Sequence, residues 1–178
     1  NKAAGFVNEM ADRQTVLQGK LEIGHFNASV SGNVVFENVV WTAPDGKKLA
    51  EVPVMNISAN LFDILKGSFG INSINSISIE RPKFVVNYSD KEGLDIINYI
   101  NFSQKDDEKP TEFRGMVEIT DGALALDMNG QKLDFGNVEM QANLKEFPDI
   151  KFTLQGKNGD ADLIGSIDKV YDDVTIGA

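Results

Sequence analysis

Alternation is the property that most restricts this chain. Met55, Ile57, Ala59 and Leu61 are apolar, and Asn56, Ser58 and Asn60 between them are polar. The same period of two runs through Leu21 and Ile23, Phe26 to Val30, Val34 and Phe36, Val39 and Trp41, Ile77 and Ile79, and Phe84 to Tyr88. It returns in Val117 and Ile119, Leu124 to Met128, Leu133 and Phe135, Val138 to Leu144, and Phe152 and Leu154. Successive side chains of a strand point to opposite faces, so each run is a strand with one apolar and one wet face. A parallel α/β sheet needs continuously apolar strands and long helical crossovers, and neither is visible. The expected fold is mainly β: an elongated, curved antiparallel sheet, a half-pipe or β-taco groove, with a few short helices.

Turn chemistry separates the runs. "SGN" at 31–33 joins 20–30 to 34–42 as a hairpin, and "APDGKK" at 43–48 supplies a Pro-Asp-Gly turn. "TDG" at 120–122, "NG" at 129–130, "FPD" at 147–149 and "KNGD" at 157–160 read as further turns. Three stretches read as helix: 4–17, where Phe6, Met10 and Leu17 share a face; 62–67, ended by Gly67; and 94–100, with Leu94, Ile97 and Ile100. Residues 103–112, "SQKDDEKPTE", lack periodicity and read as a charged loop. The expected organisation is therefore 1–102 as a helix plus β-groove segment with capping helices, a loop over 103–112, and 113–178 as continuing groove strands. The chain starts at Asn1 and stops in the strand-like "VTIGA", so a piece of a longer protein is expected.

Two irregularities interrupt the pattern. Val34 and Phe36 fall on even numbers but Val39 and Trp41 on odd ones. A one-residue slip turns every side chain over, so a bulge near Glu37 and Asn38 is expected to restore one apolar face. "SIERPKF" carries Pro82 inside a run, and a residue without an N–H belongs on an edge, at a bulge or where a strand bends.

Charge and composition exclude whole classes of function. The formal net charge is −10 with 17 Lys and Arg among 178 residues. Nucleic-acid binding requires clustered cations to neutralise phosphates, and electrostatic docking on anionic lipid needs the same. There is no cysteine, which removes disulfides, thiolate zinc sites and thiol chemistry. No run approaches the roughly 20 apolar residues of a membrane helix.

No catalytic constellation emerges. His25 is the only histidine and sits in a strand run, a setting more usual for a surface residue than for a base. "GSFG" at 67–70 is a helix stop rather than a phosphate loop. Asp160 and Asp162 lack the spacing of a calcium loop, and Asp106, Asp107 and Glu108 read as a solvated loop. The glycosylation-type triplets at Asn27, Asn56, Asn87 and Asn101 are short enough to arise by chance, and two fall inside expected strands. The chain is read as non-enzymatic, without metal or cofactor.

What remains is the apolar face. Phe26, Val30, Phe36, Trp41, Ile57, Ile79, Phe84, Val86, Ile119, Leu126, Phe135, Met140, Leu144, Phe152 and Leu154 can line one side of a long sheet. Periodicity allows two readings: a filled β-sandwich core, or a curved sheet whose concave face holds acyl chains. The sandwich would act as an interaction module, pairing a partner along an exposed strand edge.

A resemblance bears on that choice. "SGNVVFENVVWTAPDGKKLAEV", "LFDILKGS", "SISIERPKFVV" and "EGLDIINYI", in this order, resemble the N-terminal part of the AsmA/TamB family of bacterial envelope proteins. Residues 113–178 are similar to its strand-rich continuation more loosely. The resemblance implies a periplasmic β-groove, anchored in the inner membrane by a helix outside this sequence, that conducts phospholipid toward the outer membrane. It also implies, through other parts of the full protein, a β-barrel partner and a part in outer-membrane protein assembly. The family offers no catalytic residues to carry over.

Overall fold

A computed structural model describes residues 17–60, 62–63, 73–100, 114–146, 149–158, 161–168 and 174–177. The expected helix over 4–17 lies outside them but for Leu17, as does the 103–112 loop. Of the expected 62–67 helix, Phe62 and Asp63 are described, and both are helical. The 94–100 helix is a single turn, α1 (Asp95–Asn98).

The protein is mainly β. Its strands are β1 (Lys20–Ala28), β2 (Asn33–Thr42), β3 (Lys48–Ala59), β4 (Ile74–Glu80), β5 (Lys83–Ser89), β6 (Gly93–Leu94), β7 (Met116–Met128), β8 (Gln131–Glu146), β9 (Asp149–Asn158), β10 (Ala161–Asp168) and β11 (Val174–Gly177). All belong to one large curved sheet with the order β1-β2-β3-β4-β7-β8-β9-β10-β11, and β5 lies between β3 and β7. Strands from both expected segments, before and after the charged loop, therefore share one sheet.

The sheet is mixed, which corrects the all-antiparallel expectation. β4 and β5 each run parallel to β7, with Ile79 opposite Ile119 and Phe84 opposite Leu124. A parallel pair needs a crossover of a dozen or more residues, and the stretch from Asp90 to Gly115 is long enough to provide it. Alternation reports which face a side chain takes and says nothing about the direction of the neighbouring strand.

The phase slip in β2 belongs to a crease that crosses the sheet. Asn38 has φ 55°, yet β2 keeps its register with both neighbours, since Ile23 pairs Val39, His25 pairs Glu37, and Val39 pairs Val52. Gly24 and Pro53 thus flank Asn38. β4 and β5 hold one common register against β3, Val54 with Glu80 and Glu51 with Lys83, which puts Arg81 opposite Pro53. Arg81 has φ 52° and its neighbour across the parallel ladder, Asp121, has φ 51°. On β8 the line reaches Asn137, φ 48°, where the β7–β8 register shifts. Among described non-glycine residues, only Asn129, in the "NG" turn, has a positive φ away from this line.

A left-handed residue reorients the chain, so residues of opposite parity before and after it come to the same side. That is why apolar positions are odd before the crease and even after it in β4–β5 (Ile77 and Ile79, then Phe84 and Val86) and in β7 (Val117 and Ile119, then Leu124 and Leu126). Leu126 and Leu154 stand on opposite sides of the crease, yet both pack against the one buried cluster that Phe135 and Val138 form. "TDG" is accordingly the middle of one long strand, not a turn. Pro82 is not at an edge: it is fully buried at the crease, with β3 on one side and β7 on the other. The parallel ladder continues past it, Arg81 N–H donating to the Thr120 carbonyl at 2.8 Å and Ala123 N–H to the Pro82 carbonyl at 2.8 Å. Glu139 Oε1 accepts the Asp121 N–H at 2.9 Å.

Candidate functional site

Register places the apolar side chains in rows across the strands. One row runs Phe26–Phe36–Met55–Ile79–Ile119–Met140–Leu154, each directly opposite the next. The next row out runs Ala28–Val34–Ile57–Ile77–Val117–Ala142–Phe152. With strands about 4.8 Å apart, seven positions extend about 29 Å, close to twice the roughly 15 Å depth of one leaflet's hydrocarbon. Neither row contains an ionisable side chain. The intervening row, Asn27–Val35–Asn56–Ser78–Glu118–Gln141–Thr153, faces the other way and is polar except for Val35. There Gln141 Nε2 donates to Glu118 Oε1 at 3.2 Å, and Asn56 Nδ2 donates to Oε1 of Glu80, two residues along β4 from its partner Ser78, at 3.3 Å.

Across the crease a third row runs Leu21–Trp41–Ala50–Phe84–Leu124–Phe135, with Val86, Leu126 and Leu133 beyond it. This half is a packed core. Trp41, Ala43, Leu49 and Ala50 are buried under Leu17, Ile96, Tyr99 and Ile100. Leu17 and Ile100 form an isolated antiparallel bridge, Gln18 N–H donates to the Tyr99 carbonyl at 2.7 Å, and Trp41 Nε1 donates to the Gln18 carbonyl at 2.9 Å. Lys47 Nζ meets Asp95 Oδ2 at 2.6 Å, and Asp95 Oδ1 accepts the Asn87 N–H at 2.7 Å. Tyr99 O–H points to Asp45 Oδ2 at 3.4 Å, and burial, then the Asp45 charge, pushes its pKa up.

The two halves differ in how many of these side chains are fully buried: in the core half Trp41, Ala50, Val86 and Phe135 are, while Leu21, Phe84, Leu124, Leu126 and Leu133 are half-buried. Beyond the crease Phe26, Phe36, Met55, Ile57, Ile77, Ile79, Val117, Met140, Phe152 and Leu154 are all half-buried, while Ile119, nearest the crease on β7, is buried. The rings of Phe26 and Phe36 are tilted 48° with centroids 5.4 Å apart.

The sequence-derived groove residues therefore separate. Phe26, Phe36, Ile79, Ile119, Met140 and Leu154 form one row, and Ile57 and Phe152 stand in the next. Trp41, Phe84, Val86, Leu126 and Phe135 belong to the core half. Leu144 is half-buried near the end of β8, its N–H bonded to the Gly115 carbonyl at 2.9 Å. Val30 is misplaced: it lies in the β1–β2 turn and is 94% exposed, because β1 ends at Ala28. Met55, Ile77 and Val117 complete the rows and carry the same alternation in their strands.

A depression of about 230 Å³ lies elsewhere, lined by residues that include Lys48, Glu51, Lys83, Val85, Ala123 and Asp134. Its lining also includes Ala50, Phe84, Leu124 and Phe135, whose side chains alternate to the face opposite those of Glu51, Lys83, Ala123 and Asp134, so the depression draws on residues of both faces. Lys48 and Glu51 pair there at 2.9 Å, and that hydrogen bond holds the Glu51 carboxyl below its ordinary pKa. Among the described residues no group of His, Asp and Glu could hold a metal, and no helix is long and apolar enough to cross a membrane.

Fold and face together define a single curved mixed β-sheet with an apolar side that is closed at one end and half-exposed at the other. Comparison with protein-family models, with curated proteins and with solved structures found no match to this chain.

Proposed function

We propose that the chain is a non-enzymatic segment of a periplasm-spanning conduit that holds phospholipid acyl chains on its apolar face. One observation carries this reading: two unbroken apolar rows cross seven strands with no ionisable side chain, and their large side chains other than Ile119 are only half-buried. A face of this size in contact with water is unfavourable unless something apolar covers it. Acyl chains suit it because they need dispersion contacts and no polar partner. The acidic outer surface keeps such a segment dispersed. Phospholipid, periplasm and inner-membrane anchoring come from the resemblance to the AsmA/TamB family, as do the outer-membrane β-barrel partner and the support of outer-membrane assembly.

The test is mass spectrometry of an organic extract of the purified protein. Stoichiometric phospholipid supports the conduit; an extract free of lipid, from protein that also fails to take up lipid from vesicles, overturns it. The second reading is an interaction module that adds a partner strand. It rests on β1, which has β2 as its one neighbour among the described strands. An extended peptide protecting the β1 amides from hydrogen exchange would favour it.

A further inference from the structure

We infer that acyl chains seat only on the half of the apolar face beyond the crease, and that the Trp41 end is a built stop. This rests on the lipid reading above and adds where the site ends. The stop is a cover of four apolar side chains, Leu17, Ile96, Tyr99 and Ile100, laid on Trp41 and Leu49. Beneath it Leu49 is 0% and Trp41 7% exposed, so no room remains for a chain of methylenes.

The cover is tied to the sheet by polar bonds at several points. Gln18 holds both parts together, accepting from Trp41 Nε1 at 2.9 Å and donating its N–H to the Tyr99 carbonyl at 2.7 Å. Asp95 fastens α1 from below through Lys47 at 2.6 Å and the Asn87 N–H at 2.7 Å. An acyl chain reaching Trp41 would have to lift this cover and break those bonds, gaining only apolar contacts that the cover already supplies. On the other side of the crease the Phe36 and Met140 side chains are half-buried and already in one apolar row, and among the described residues no such cover is fastened over them, so a chain can lie there. The crease is the boundary because its own inner residues, Val39, Val52, Pro82 and Val138, are buried.

The protein contains one tryptophan, at the stop, which makes the test direct. Purified protein is loaded from vesicles of phosphatidylcholine brominated in mid-chain, a contact quencher of indole emission, and bound phospholipid is assayed. In the natural protein Trp41 emission should not change on loading. In Phe36→Trp, and separately in Phe152→Trp, both retaining Trp41, the added emission should be lost on loading. Asp95→Ala, which unfastens α1, should make Trp41 quenchable, with circular dichroism checking that the sheet is retained. Quenching of Trp41 in the natural protein as strong as that of the added indoles overturns the stop while leaving the lipid reading intact. Loaded lipid that quenches neither added indole overturns the assigned seat. Absence of any bound phospholipid overturns the lipid reading and the stop with it.

Discussion

Arg81 and Asp121 stand side by side in the parallel ladder between the β4–β5 strand and β7, and both hold left-handed backbone angles, φ 52° and 51°. Neither is glycine, so each carries steric strain that the surrounding pairing must offset. Two adjacent strands adopting the same unfavourable angle at the same register step keep their hydrogen bonds while both bend.

That strain is measurable. Arg81→Gly removes the Cβ conflict and should raise stability by about 1 kcal/mol, whereas Arg81→Val should lower it by a similar amount or more. Urea unfolding midpoints compare the two. Equal midpoints for Gly and Val would show that the backbone at 81 is not left-handed.

Gly19 joins the cover to β1. Its φ is 95°, and an added Cβ would lie 2.1 Å from the Thr42 carbonyl oxygen, a backbone atom that cannot swing away. Gly19→Ala should destabilise by about 2–3 kcal/mol and raise hydrogen exchange at Gln18 and Tyr99 first. Exchange spread evenly over the sheet would contradict a local detachment.

Asp95 serves two donors and Lys47 only one acceptor. Asp95→Ala leaves both the Lys47 ammonium and the Asn87 N–H without their acceptor and should cost about 2 kcal/mol. Lys47→Ala leaves Asp95 still bonded to the backbone and should cost below about 1 kcal/mol. Thermal melting of the two variants and their double mutant gives the order, and a larger loss from Lys47→Ala would refute the arrangement.

Tyr99 predicts an alkaline weakness. Its pKa in the folded protein is raised, by burial first and by Asp45 second. The neutral phenol is therefore favoured by folding. Its contribution is fully present below the ordinary tyrosine pKa of about 10 and is lost as pH rises through the raised value. Natural protein should lose melting temperature over that window faster than Tyr99→Phe. Parallel curves for the two proteins would rule the contribution out.

Charge placed on the apolar face should divide by position. Ile79→Asp and Met140→Asp sit at half-exposed sites, so the fold should survive while bound lipid is lost. Ile119→Asp buries an unpaired carboxylate between the same two residues in the row and should unfold the sheet, because such burial costs several kcal/mol. Melting curves paired with lipid assays separate these outcomes; collapse at all three sites would favour a closed core.

The strands themselves were legible in the sequence, because a half-buried strand writes its two faces directly into alternating residues. So was the slip at Asn38, since odd and even apolar positions cannot share a regular strand. The same change of parity sits in β4–β5 around "ERP", in β7 around "TDG" and in β8 between Phe135 and Val138. Each was readable alone, as a proline to be placed or a turn to be drawn. Only the tertiary structure showed that they are one line, because alignment depends on the register between strands distant in the chain. The direction of β7 against β4 and β5 was equally invisible, since alternation is the same for parallel and antiparallel neighbours. The division of the face into a sealed end and a half-exposed one was decided last, when Leu17 and Ile100, far apart in sequence, met over Trp41. Periodicity records that a side chain turns inward, and burial depends on what later arrives to cover it.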